Sequence, residues 1–303
     1  MAQSRQLGAD VGLSTRMFIT MFMLAVLYTG FMWVLINAGV DTTMVIFIAA
    51  VMLGLQYFYS DKLVLMSMGA RVVDPAQAPE LHAMVGRLSA MANLPMPKVA
   101  VIDSDMPNAF ATGRSPNHAV VAVTQGLLRR LNREEVEAVL AHEISHIRHR
   151  DVAVMTLASF FATVAQLLIR WLQWSVFYGA GGRRRDDDRS GLGIYAVWLV
   201  SMLVWLISFF LIRALSRYRE FAADRGASIL TGAPGNLASA LTKISGVMSR
   251  IPTQDLRQAE AFNAFFIIPA LRGSSIAELF STHPSLEKRL ANLQRIQQEM
   301  LRR

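Results

Sequence analysis

Long apolar runs alternate with polar, amphipathic stretches along this chain, and that alternation sets its organisation. Met17 to Val40 is an uncharged run. A helix across a bilayer needs about 20 apolar residues, so this run is long enough. Met44 to Tyr59 is a second run after a short gap. The two predict a helical hairpin with Asp41-Thr-Thr43 at its tip, not a cleaved leader, which has one shorter apolar core. Val152 to Tyr178 is a third run, interrupted by Gln166, Arg170 and Gln173. Leu192 to Ile212 is a fourth and ends at Arg213. Four spans are expected. The alternative for the third is a helix lying in the interface, with Arg170 reaching the headgroups.

The stretches between these runs carry the periods of water-exposed elements. Pro79 to Asn93 places Leu81, Met84, Val85, Leu88 and Met91 at helical spacing. Lys98 to Asp103 and His118 to Thr124 are short β-rich runs, and Pro107, Gly113, Pro116 and Asn117 supply turn chemistry between them. Asn132 followed three residues later by Glu135 is a helix start of the capping-box kind. Val136, Val139 and Leu140 continue it as an apolar stripe. Ser285 to Arg303 repeats Leu286, Leu290, Leu293, Ile296 and Met300 and predicts a packing helix. The fold class is mainly α with a small β-sheet, and no internal repeat is evident.

Composition agrees with a membrane protein that has a water-exposed part. The chain is 53% hydrophobic with mean hydropathy +0.35. It has no cysteine, which excludes disulfides and thiolate metal sites. The net charge of +8 reads as attraction to anionic headgroups and a positive-inside bias. Arginine and lysine are not arrayed with interleaved aromatics, so nucleic acid is not a partner. Arg5 and Arg16 precede the first hairpin, and Lys62 and Arg71 follow it, so both its ends are expected in the cytoplasm. If both later runs span, the loop Gly179 to Ser190, with Arg183 to Arg185, Asp186 to Asp188 and Arg189, opposes that rule.

The chemistry-bearing motif is His142-Glu-Ile-Ser-His146 on the helix begun at Asn132. Residues four apart share one helix face, so both imidazoles can reach one Zn²⁺. Glu143 beside them is placed to take a proton from the attacking water. A catalytic zinc keeps three protein ligands, and without cysteine the third must be His, Asp or Glu. After the fourth apolar run, Glu220 and Asp224 lie four apart on an expected helix. One can bind metal while the other accepts the N–H of a ligand histidine. A solvated pair of carboxylates is the plainer reading of those two residues alone. The histidine helix leads into the third run and Glu220 follows the fourth, so a hairpin of the two brings both pieces to one membrane face.

His142 to His146, Glu220-Phe-Ala-Ala-Asp224 and Ser281-Thr-His-Pro-Ser-Leu-Glu-Lys-Arg289 together resemble the M48 family of membrane zinc metallopeptidases. The short layout is similar to its HtpX heat-shock branch rather than to the longer CAAX prenyl proteases of the Ste24 type. The resemblance implies a gluzincin-like site with His142, His146 and Glu220 on one Zn²⁺ and Glu143 as base. It implies Asp224 behind a zinc histidine and Arg289 supporting the acidic residues there. It implies His283 near the site, where it helps stabilise the oxyanion; a surface histidine at a helix start is the alternative. Asn108 would belong to the substrate edge.

The expected organisation is an N-terminal transmembrane hairpin over residues 1–62, a catalytic part over 63–151, a second apolar hairpin over 152–212, and a second catalytic part over 213–303. The implied activity is endopeptidase cleavage of misfolded or misassembled membrane proteins at the cytoplasmic face of a bacterial inner membrane. The competing readings are a CAAX-type prenyl-peptide protease and a non-catalytic membrane scaffold with a structural metal. Phe262 to Pro269 is expected to be core rather than a lid or a membrane-dipping loop. No motif fixes an oligomeric state.

Overall fold

The computed structural model describes residues 11–37, 42–179, 188–250 and 281–302. The middle of the Gly179 to Ser190 loop, and Phe262 to Pro269, lie outside them. The chain runs α1 (Val11–Asn37), α2 (Thr42–Ser67), β1 (Ala70–Val72), α3 (Pro79–Met91), β2 (Lys98–Ile102), β3 (Ala109–Thr112) and β4 (Val120–Thr124). It continues through α4 (Gln125–Arg130), α5 (Arg133–Arg148), α6 (Asp151–Gly179), α7 (Asp188–Thr231), α8 (Pro234–Met248) and α9 (Leu286–Leu301).

All four apolar runs fold as helix. Three helices among the described residues are long and apolar enough to cross a membrane: Val11–Asn37, Asp151–Arg170 and Tyr195–Thr231. Their shared core joins Leu24, Phe31 and Leu35 of α1 to Ala165 of α6 and Val204 and Leu215 of α7. The Tyr28 hydroxyl donates to the Ala158 carbonyl at 2.7 Å, tying α1 to α6 where water cannot compete. Phe18 is 71% exposed and Trp33 66%, apolar area that suits a lipid surface and not water. α7 is one helix of 44 residues, so the fourth apolar run continues without a break into the segment bearing Glu220 and Asp224.

The sheet has four strands in the order β1-β2-β4-β3. Only β2 and β4 were expected as strands. β2 and β4 are parallel, and β1 and β3 flank them antiparallel. All five residues of β4 are buried, as befits an inner strand covered on both faces. One face, with Val99, Val121 and Val123, packs on α3 and α5. The other, with Ala100, Ile102 and Phe110, packs on Val64, Leu65 and Met68 at the end of α2. β3 is the outer strand, and among the described residues nothing pairs with its far edge.

α5 and α7 pack closely, and Gly226 sets how closely. A Cβ there would stand 2.4 Å from Ser145 Oγ and 2.8 Å from Ser145 Cβ. Gly226→Ala should push α7 away from the histidine helix and destabilise the fold by about 1–3 kcal/mol. A lowered Tm that Ser145→Gly partly restores would confirm this. An unchanged Tm would show that the two helices separate freely.

Candidate active site

The site begins with a well-anchored helix. At the start of α5, Asn132 Oδ1 accepts from the Glu135 N–H at 2.9 Å. Glu135 Oε2 accepts in return from the Asn132 N–H at 2.9 Å. The capping box read from the sequence is therefore formed. Glu135 is also held by Ser239 Oγ at 2.7 Å and Lys243 Nζ at 2.8 Å, which fasten α5 to α8. Burial raises the Glu135 carboxyl, but Lys243 and Ser239 outweigh it and the net shift is downward. Two turns on, His142 and Glu143 are both buried.

His142, His146 and Glu220 converge. The facing Nε2 atoms of the two histidines are 3.1 Å apart. Glu220 Oε2 lies 3.5 Å from His142 Nε2, and Glu220 Oε1 lies 3.5 Å from His146 Nε2. Three donors on a tetrahedral ion with bonds of about 2.0–2.1 Å would be about 3.3 Å apart. The donor atoms thus form one face of such a tetrahedron, and nitrogen and carboxylate donors suit a divalent metal. Glu220 is a buried carboxylate whose Oε2 makes no hydrogen bond of good geometry among the described residues. An ion among the three donors would give that oxygen a bonding partner.

Each ligand nitrogen is backed by a carboxylate. His142 Nδ1 donates to Asp224 Oδ1 at 3.0 Å, which turns Nε2 toward Glu220. Asp224 is in turn gripped by Arg289, with Nε to Oδ2 at 3.0 Å and Nη2 to Oδ1 at 2.5 Å. Arg289 Nη1 lies 3.4 Å from Glu220 Oε2. Burial pulls Arg289 down, yet Asp224 and Glu220 outweigh it and hold it above its ordinary value. Burial likewise pulls the His142 imidazole down, but Asp224 and Glu220 hold it up at about 9. The field at Nε2 therefore favours positive charge.

His146 has its own partner, which sequence reasoning missed. Its Nδ1 is 2.5 Å from Asp151 Oδ2, and Arg219 Nη2 is 3.0 Å from the same oxygen. Arg150 takes φ of 54°, which ends α5 and turns Asp151 back onto the last helical turn. The signal in the sequence was an acidic residue among Arg148, His149 and Arg150, five positions after His146.

The remaining expected residues divide. His283 is buried, with Nδ1 3.3 Å from Glu220 Oε2. Arg217 Nη1 donates to the Ser281 carbonyl at 3.0 Å and holds that segment in place. Asn108 is buried just before β3, where its N–H donates to Thr124 Oγ1 and its carbonyl accepts from the Thr124 N–H, both at 2.9 Å. It braces β3 against β4. The residues that line the cleft are the next ones along, Ala109 to Arg114.

Glu143 faces the inner end of that cleft, of about 340 Å³. The Ala111 backbone hydrogen-bonds its carboxylate. Burial raises the Glu143 carboxyl above its ordinary range, against the opposing pull of the two histidines. The Thr124-to-Asn108 bond sets the phase of the β3–β4 ladder. Phe110 and Thr112 then turn their backbone groups toward β4, while Ala109 and Ala111 turn theirs to the outer edge, where the Ala111 N–H donates to Glu143. Asp151→Ala should weaken metal binding about tenfold to a hundredfold, with the Tm read alongside because Arg219, whose side chain is 13% exposed, loses its partner. Chelator competition would measure it. Unchanged affinity would show that Asp151 does not orient the His146 ring.

The comparisons agree with this geometry. Residues 75–297 match the model of Peptidase family M48. The chain is 63% identical to a protein named protease HtpX homolog of Moorella thermoacetica, over 98% of each chain. It is 51% identical to protease HtpX homolog 1 of Streptomyces coelicolor, over 96% of this chain and 95% of that one. The crystal structure of S. mikatae Ste24p superposes with TM-score 0.57 at 19% identity, covering 94% of this chain and 67% of that one, a likeness of fold alone. The chain belongs to peptidase family M48 and is a membrane metalloprotease.

Proposed function

We propose that this protein uses Zn²⁺ on His142, His146 and Glu220 to cut peptide bonds in misfolded or misassembled membrane proteins at the cytoplasmic face of a bacterial inner membrane. The observation that carries the reading is the donor triangle beside a buried glutamate and an open strand edge. When bound, the ion supplies Lewis acidity that acidifies water and polarises the scissile carbonyl. Glu143 takes the proton of the attacking water and later delivers it to the leaving amine; its raised pKa suits both roles. His283, beside Glu220, donates to the developing oxyanion. Asp224 and Asp151 keep both imidazoles in the tautomer that leaves Nε2 free.

An extended substrate adds to the open edge of β3 through the Ala109 backbone and the Ala111 carbonyl. Backbone pairing gives affinity with little side-chain preference, which suits a protease for unfolded chains. The far wall of the cleft supports membrane-derived substrates. It is formed by Val152, Met155 and Thr156 in the first turns of α6, a membrane-capable helix. A chain emerging from a bilayer would meet this wall first. The positive charges flanking the first two apolar runs, Arg16 and Lys62 among them, support the cytoplasmic orientation.

The test compares detergent-solubilised wild type with Glu143→Gln on casein, with bound zinc quantified in both. The variant should hold equal zinc and cut at least about a hundredfold more slowly. Retained turnover would remove Glu143 from the role of base. Equal zinc with no cleavage by either protein would contradict activity on soluble unfolded chains.

A further inference from the structure

The loop that follows β3 lines the cleft beside the metal centre, and it is fixed at three points. Gly113 takes φ of 131°, and a Cβ there would stand 2.4 Å from the His118 carbonyl oxygen and 2.7 Å from Ala119 Cα. Only a glycine lets the loop fold back so closely. The Tyr57 hydroxyl, from α2, donates to the Arg114 carbonyl at 2.9 Å. The Arg114 guanidinium lies over the Phe58 ring, with Cζ 5.6 Å from its centroid. Backbone and side chain of Arg114 are thus both held in place.

The guanidinium so held has no carboxylate. Arg114 is half-buried on the cleft wall, and among the described residues its side chain forms no ion pair or hydrogen bond. None of its nitrogens is sealed away from solvent, so its donors stay open to the cleft. The carboxylates of the lining are Glu143, Asp151 and Glu220, all in the metal centre. Arg150, exposed at the end of α5, adds a second cation to the lining and likewise meets no carboxylate among the described residues. Outside the metal centre the ionised lining is therefore positive. A ring face takes up the flat side of a guanidinium but not its fork of N–H donors, whose geometric match is a carboxylate.

The strand places that match relative to the chemistry. Ala111 meets Glu143, so the bond to be cut lies beside Ala111. Arg114 is three residues further along the chain. Extended chain advances about 3.3 Å per residue, so at most about 10 Å separates the two positions. We propose that Arg114 binds a carboxylate side chain of the substrate, about three residues or fewer from the cut bond. The inference rests on the proposed proteolysis and adds a selectivity to it. Backbone pairing on β3 admits any unfolded chain, and Arg114 ranks the sites within it.

The test uses the full zinc-loaded chain in detergent and C-terminally amidated peptides in which a single Glu, or Gln as control, moves along a neutral sequence. The amide removes the terminal carboxylate as a rival. Mass spectrometry maps each cut, and kcat/KM is compared for wild type, Arg114→Gln and Arg114→Lys. Equal bound zinc shows that the variants are folded; Arg114→Met, which keeps an apolar stem on Phe58, replaces Arg114→Gln if zinc is lost. Glu near the cut should be favoured over Gln by about fivefold to tenfold in the wild type. The preference should vanish in Arg114→Gln and survive in part in Arg114→Lys. A flat profile in the wild type, or a preference unchanged in Arg114→Gln, would overturn the proposal. An equal loss on every peptide would also overturn it and leave Arg114 as an anchor of the loop. Affinity of the same peptides for Glu143→Gln protein, read by fluorescence anisotropy, gives the preference without turnover. Glu peptides favoured there while the wild type cuts nothing would contradict the proteolysis and uphold the carboxylate site.

Discussion

The structure depends on a buried ion pair, Arg289 with Asp224. Both side chains are withdrawn from water, at 2% and 0% exposure. Charges so placed are tolerable only when every one is matched, because desolvation costs several kcal/mol per ion. The match extends outward from this pair. Arg289 reaches Glu220, Asp224 reaches His142, and Asp151 with Arg219 does the same for His146. Asp151, Glu220 and Asp224 are held below their ordinary values and outnumber the guanidiniums of Arg219 and Arg289, so they leave negative charge that a divalent cation offsets. Metal binding and folding are thus linked through charge.

The same constraint explains how far the chain must travel to build the site. Arg289 and Asp224 are 65 residues apart in sequence and meet only because α9 packs on α7 and α8. α7 is the shared strut. Its apolar half belongs to the core with α1 and α6, and its last turns carry Glu220, Asp224 and Gly226 against α5. A single rigid helix therefore transmits the position of the membrane layer to the metal donors. The substrate edge is fixed differently, by the sheet. β3 is held to β4 by Asn108 and Thr124, and Ala111 meets Glu143 directly. Base, metal donors and strand edge thus come from three separate elements that share one core.

The candidate metal donors were legible in part, because helical geometry is local; the choice of Glu220 over Asp224 came from the family resemblance. His142 with His146, and Glu220 with Asp224, each need only a period of four on one helix face. The capping box from Asn132 to Glu135 marked where the first helix begins. β1 and β3 were not legible. They are three and four residues long, and β3 sits between Pro107 and Gly113 with alanines that carry little strand preference. Pairing with β4 makes them strands, and no local pattern records that pairing. Asp151 was hidden for a related reason. It lies beyond the reach of a continuous helix from His146, and only the turn at Arg150 brings it back. His283 and Arg289 came from family resemblance, since their meeting with Glu220 and Asp224 is wholly tertiary. Asn108 was expected at the substrate edge from the family resemblance; it braces that edge from behind, and the lining begins at Ala109.

The central claim is that His142, His146 and Glu220 hold one zinc ion whose site is completed by the buried charges behind them. X-ray absorption at the zinc edge, on the full chain and on Glu220→Ala, tests it most directly. The account predicts one zinc per chain with two imidazoles and carboxylate oxygen at about 2.0–2.2 Å, and loss of the carboxylate signal in the variant. A first coordination sphere unchanged by Glu220→Ala, or one with three imidazoles, would contradict it.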